Sequence, residues 1–146
     1  MVVWRLASGR YDPLSGSGAR RYGGRWNEAG MAVIYTSAHL SLAVLEKLVH
    51  TEPDLLPDDL VAFKIEFPDD VEVPMDWPPA WKENARVCRT IGAQWISSGR
   101  TLALTVPSVV VPQEHNLLIN PAHPRMAEVR IIAQEPFQFD PRLFQP

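Results

Sequence analysis

The chain has 146 residues, of which 46% are hydrophobic and 21% charged, with a formal net charge of −3. That length predicts one domain, residues 1–146, with a proper core, and the acidic balance argues against a general nucleic-acid surface, which would read basic. No apolar run approaches the roughly 18 residues of a membrane span, and the single cysteine, Cys88, rules out an internal disulfide and fits a reducing cytoplasm.

In chain order, VVWRL (2–6) reads as a first strand. Ahead of its apolar residues there is no basic segment, so a signal peptide is not expected. Residues 7–24 are rich in Gly and Ser and read as a long loop. AVIYT (32–36) reads as a short buried strand, and Ser37 or Ser41 is placed to cap a helix running to about His50, with Pro53 beyond it. LVAFKIEF (60–67) alternates, with Val61, Phe63, Ile65 and Phe67 on one face and Ala62, Lys64 and Glu66 on the other. A proline-rich connection leads to a second helix over 82–98, stopped by Gly99. Short strands are expected at 102–106, 108–111, 116–119 and 128–133, and the three phenylalanines of the tail are expected to pack it down. This order predicts an α+β fold, mixed and mostly antiparallel, rather than a regular βαβ repeat. Neither the Rossmann nor the P-loop glycine motif is present, and no Cys/His cluster has metal-ligand spacing.

The most informative residue is Glu46, in LSLAVLEKLVH. On a helical wheel Leu42, Leu45 and Val49 form the apolar stripe; Glu46 lies about 40° from Leu42 and Lys47 about 140°, toward solvent. A carboxylate flanking a buried face is either a structural ion pair at the rim or an acid at the floor of a cleft, able to steady a developing positive charge. Arg25 follows Gly23 and Gly24, which allow close backbone approach. Its planar fork suits phosphate or carboxylate, and Trp26 beside it suits stacking on a flat ring. The alternative is a hairpin turn with an exposed arginine. Arg5, next to Trp4, reads equally as an edge charge. Ser108 lacks the elbow or lysine partner of a serine nucleophile and reads as a hydrogen-bond donor. Asn116, Asn120 and His123 follow closely, and turn chemistry accounts for such residues as well as ligand binding does.

Taken together these segments resemble the RES domain family, named after an arginine, a glutamate and a serine. The resemblance spans nearly the whole chain: WRL, GGRWNEAGMAVIYTS, LSLAVLEKLVH, IGAQWISSGRTLALTVPSVVVPQEHNLLINPAHP and FDPRL, in order. It maps the family's arginine onto Arg25, with Arg5 as a second arginine motif, its glutamate onto Glu46 and its serine onto Ser108. Tyr35, Asn116 and Asn120 sit at positions typical of the pattern, whereas Glu28 is not expected to take part. The resemblance implies an ADP-ribosyltransferase-like fold and the toxin half of a RES–Xre toxin–antitoxin module. The implied activity is depletion of NAD+ by hydrolysis or phosphorolysis, or ADP-ribosylation of a protein. NAD+ is then a substrate, with no bound cofactor and no metal. The implied partner is an Xre-type antitoxin in a multimeric complex; direct nucleic-acid or membrane contact by this chain is not expected, and a homodimer stays open. In that setting Glu46 steadies the ribose cation, Arg25 holds the pyrophosphate and Tyr35 stacks on nicotinamide. Ser108 and the asparagines hydrogen-bond the substrate, and Trp26 is favoured as packing that directs the arginine over direct stacking.

Overall fold

A computed structural model describes residues 1–145. Among the described residues ten strands and α-helices follow in order: β1 (Val2–Ser8), α1 (Ser17–Tyr22), β2 (Ile34–Ser37), α2 (Leu40–Leu48), β3 (Leu60–Glu66), β4 (Val71–Glu72), α3 (Ala85–Ser98), β5 (Ala103–Pro107), β6 (His115–Ile119) and β7 (Arg130–Pro136). The strands form one seven-stranded sheet in the order β4-β5-β6-β2-β1-β3-β7. Only β4 and β5 run parallel; every other neighbouring pair is antiparallel. The fold is α+β. Among the described residues no helix is long and apolar enough to cross a membrane.

The registers assign the sheet's two faces. Val3 pairs with Ile65, Ile34 with Ile119 and Ala103 with Ile119. These residues share a core with Phe63, Phe67, Leu117 and Val129. On the opposite face Leu6, Leu60 and Ala62 meet Ala43 of α2 and Phe139 of the tail. Further along that face Leu104, Val106 and Leu118 meet Trp26 and the α3 residues Cys88 and Trp95. Ala62 is therefore buried on the face opposite Phe63 and Ile65, where α2 and the tail cover β3. The tail packs down as expected, with Phe137, Phe139 and Phe144 in successive edge-to-face contacts.

Five readings of the sequence are corrected. The supposed loop over 7–24 contains α1, entered through Gly16 at φ 69°. Residues 108–111 form a turn, because the Ser108 hydroxyl accepts the N–H groups of Val110 and Val111, which a ladder would otherwise need. In α2 the buried residues are Leu42 and Ala43, while Leu45 and Val49 are exposed. Apolar side chains surround most of that helix, so periodicity does not single out the packed stripe. Lys47 is half-buried and does not point freely to solvent. The second helix starts at Ala85, where Asn84 caps it by accepting the Val87 N–H, and ends at Gly99 in the left-handed region.

The junction of β1 and β2 positions the site. Their register is a single pair, Trp4 with Ser37, whereas β1 and β3 are joined from Val2–Glu66 to Ser8–Leu60. The sheet is thus loosely joined at its centre. The α2 helix, which follows β2 after two residues, packs against both strands there.

Candidate active site

Glu46 projects from the last turns of α2 toward β5 and β6. Its Oε1 accepts two hydrogen bonds, from Ser108 Oγ at 2.6 Å and from Asn116 Nδ2 at 2.9 Å. Among the described residues Oε2 carries none. Ser108 is fully buried and accepts two backbone N–H groups, so its own proton is committed to Glu46. It is a donor that fixes the carboxylate. Asn116 is oriented in turn by Ser37 Oγ, which donates to its Oδ1 at 2.7 Å. The chain Ser37–Asn116–Glu46–Ser108 therefore runs from β2 through β6 to α2 and the turn after β5. Each donor meets an acceptor, as a partly buried polar network requires.

The two proposed arginines are held by different parts of the fold. Arg5 Nη1 donates to the Tyr35 carbonyl at 2.9 Å, bridging the open side of the β1–β2 junction. Its Nε is buried without a hydrogen-bond partner. Burial holds the Arg5 guanidinium below the usual arginine range, yet an arginine remains charged. Burial also lowers the Lys47 ammonium, aided by the Arg5 charge and opposed by Asp59. Arg25 Nη2 donates to the carbonyl of Trp81 at 3.0 Å and to that of Lys82, and its Nε too is buried without a partner. A buried N–H left unpaired costs about 1–3 kcal/mol, so each of these two guanidiniums keeps one N–H able to donate to an anionic oxygen that reaches it.

Trp26 is buried, edge-on to Trp77 and stacked on Trp81. The Tyr35 ring packs against this cluster. Its hydroxyl donates to Asn27 Oδ1 at 2.6 Å and accepts the Trp26 N–H at 3.0 Å. Burial pushes the Tyr35 phenol up to about 12. A folded pKa above the ordinary 10 means the protonated form is favoured by folding, and that stability is complete below pH 10. It is lost as pH rises from 10 through 12, by up to about 3 kcal/mol at about 1.4 kcal/mol per unit. Urea unfolding at stepped alkaline pH is expected to show this loss, and Tyr35→Phe to lack most of it. An equal alkaline slope in both proteins would contradict the assignment.

A family profile described as RES domain matches residues 2–140. The chain belongs to the RES domain family. It is 40% identical to a protein of Sphingobium sp. (strain YBL2) named "Prs ADP-ribosylating toxin", over 97% of this chain and 96% of that one. It is likewise 40% identical to "Toxin Res" of Yersinia enterocolitica, over 98% and 99% of the two chains. Among solved structures it is similar to that of the M. tuberculosis MbcT–MbcA toxin–antitoxin complex, with a TM-score of 0.72 and 18% identity over 98% of this chain and 86% of that one. At that identity the likeness concerns the fold.

In this RES domain the sequence candidates divide into groups. Glu46, Ser108 and Asn116 are in direct contact, with Arg5 tied to neighbouring Tyr35. Asn120 lies at the far end of β6, roughly 13 Å along the strand from Asn116. There its Oδ1 accepts the Ala122 N–H in a tight turn. His123 sits beyond it, accepting the Arg125 N–H and lying 3.8 Å from Asp70. Neither joins the Glu46 cluster. Two residues escaped sequence reasoning: Ser37, noted only as a helix cap, and Asn27. The signal for Asn27 was available, because an asparagine between a tryptophan and a glutamate in a glycine-rich turn is suited to binding backbone groups.

Proposed function

We propose that this RES domain is the toxin of a toxin–antitoxin pair, that it acts in the cytoplasm on NAD+, and that it cleaves the nicotinamide–ribose bond. The observation that carries the reading is Glu46, with one carboxylate oxygen pinned by Ser108 and Asn116 and the other free. When the bond breaks, its electron pair leaves with nicotinamide, which departs neutral and needs no general acid. Positive charge develops on the ribose, as in glycoside hydrolysis. A carboxylate already fixed in place stabilises that charge without reorganising during the reaction. Its free oxygen is also an acceptor for a ribose hydroxyl. Arg5 and Arg25 hold the pyrophosphate through their unpartnered Nε–H groups, which orients the dinucleotide. The nucleophile then adds to the ribose carbon and sheds its proton.

The acceptor is water or inorganic phosphate in this reading. A protein acceptor is the second reading, favoured by the name of the Sphingobium relative. The proposed partner is an Xre-type antitoxin in a multimeric complex. Purified protein incubated with NAD+ labelled in the adenosine half, with and without phosphate, separates these outcomes. Free ADP-ribose, ADP-ribose phosphate and a labelled protein band in added lysate are distinct products. Absence of nicotinamide release under all three conditions would refute the reading.

A further inference from the structure

We propose that Asn27 is a positioning residue for Arg25: its buried carboxamide fixes the Gly24–Asn27 turn so that the guanidinium is presented to the pyrophosphate. The inference rests on the reading of the site as an NAD+ cleft. Asn27 is completely buried and all of its polar capacity is used. Nδ2 lies 2.9 Å from the Ala19 carbonyl, 3.1 Å from that of Glu28 and 3.0 Å from that of Met31. Oδ1 accepts the Tyr35 hydroxyl, which itself accepts the Trp26 N–H. One side chain thus connects the last turn of α1, the loop after the turn, and β2.

Trp26 is packed against Trp77, Trp81 and α3, and the Arg25 guanidinium reaches the Trp81 and Lys82 carbonyls, but these contacts hold the two side chains and the far side of the turn. Its backbone is closed by one isolated bridge between Gly24 and Asn27, with the Gly24 N–H donating to the Asn27 carbonyl at 3.0 Å. Arg25 and Trp26 are the two residues inside that bridge. Gly24 lets the turn lie against β2, because a Cβ there would come within 2.7 Å of the Tyr35 hydroxyl. Tyr35 then serves both arginines: its hydroxyl anchors the backbone next to Arg25, and its carbonyl holds the Arg5 guanidinium. A loop without ladder partners relies on such side-chain bonds for its geometry. A guanidinium misplaced by about 1 Å loses much of its value in orienting a substrate.

The test is a double-mutant cycle of Asn27→Ala with Arg25→Ala, read on KM and kcat for NAD+ and on the Kd for ADP-ribose. Asn27→Ala is expected to raise KM and Kd about tenfold, the size of one charged hydrogen bond, with kcat within about twofold. In the Arg25→Ala background it is expected to change neither. Additive losses in the double mutant, or a fall in kcat at unchanged KM, would overturn the proposal. Tyr35→Phe, which deletes a single hydroxyl, is the milder variant should Asn27→Ala fail to fold, and is expected to shift KM in the same direction. The Arg25 Nε–H resonance reports independently of turnover. It is expected to move in both variants while that of Arg5 stays in place in Asn27→Ala. An unmoved Arg25 resonance rejects the positioning role even if wild-type protein cleaves NAD+. A wild type that releases no nicotinamide rejects the NAD+ reading, while a moved resonance would still uphold the tie between Asn27 and Arg25.

Discussion

Glu46→Gln is expected to slow nicotinamide release by about 100- to 1,000-fold, the range seen when one preorganised electrostatic group is removed from an active site. The substitution is unusually clean here. Both hydrogen bonds to Glu46 terminate on Oε1, donated by Ser108 and Asn116. A glutamine carbonyl oxygen in that position accepts both, so the network keeps its geometry, while the negative charge and the second acceptor oxygen are lost. Thermal stability is expected to change by no more than a few degrees, which separates a chemical effect from an unfolding one. Because the charge acts on the transition state and not on the bound dinucleotide, the loss should fall on kcat more than on KM. Wild-type turnover by a folded Glu46→Gln protein would remove the glutamate from the mechanism.

Gly92→Ala is expected to be the most damaging small substitution for the fold, at about 3 kcal/mol or more. Helix propensity argues the other way, since alanine gains about 1 kcal/mol over glycine in a helix interior. At Gly92, however, α3 presses directly on the backbone of Trp26. An added Cβ would lie 1.7 Å from the Trp26 carbonyl oxygen and 2.8 Å from its carbon. Backbone atoms do not swing aside as a flexible side chain does. Trp26 is itself held between Trp77, Trp81 and the Tyr35 hydroxyl, so relief requires α3 to move off the sheet. Against a total stability of about 5–15 kcal/mol that loss is large. Gly18 in α1 is the control: a Cβ there meets nothing within 4 Å, so Gly18→Ala is expected to be neutral or stabilising. Denaturant midpoints of the two variants give the comparison, and a Gly92→Ala protein as stable as wild type would contradict the packing argument.

Much of the architecture is legible in the amino-acid sequence. The alternation in LVAFKIEF, the glycine after α3 and the apolar VIYT stretch each carry a local physical signature, and each leads to an element close to where it was expected. The failures have local causes as well. The 108–111 run is rich in valine and reads as a strand, but the Ser108 hydroxyl captures the N–H groups that a strand would offer its neighbour. In α2 too many positions are apolar for a wheel to choose the buried ones, and docking at the β1–β2 junction makes the choice. The alternation divides β3 between two faces, and only the tertiary structure shows that the Ala62 face is covered as well, by α2 and the tail.

The candidate site divides in the same way. Residue types and their order along the chain determined membership of the RES family and singled out Glu46, Ser108, Arg5 and Arg25, because chemistry resides in side chains and their order survives in the sequence. Which of these meet was decided only by the tertiary structure. Asn116 and Asn120 are equivalent on paper, four residues apart in the same segment. One faces Glu46 and the other closes a turn, because β6 carries them to opposite ends of the strand. The Glu46–Ser108 contact spans 62 residues of sequence and the Ser37–Asn116 contact 79. No local propensity reports such a pairing. It arises from strand order, with β2 laid beside β6 and loosely joined to β1, which brings distant polar groups to one place.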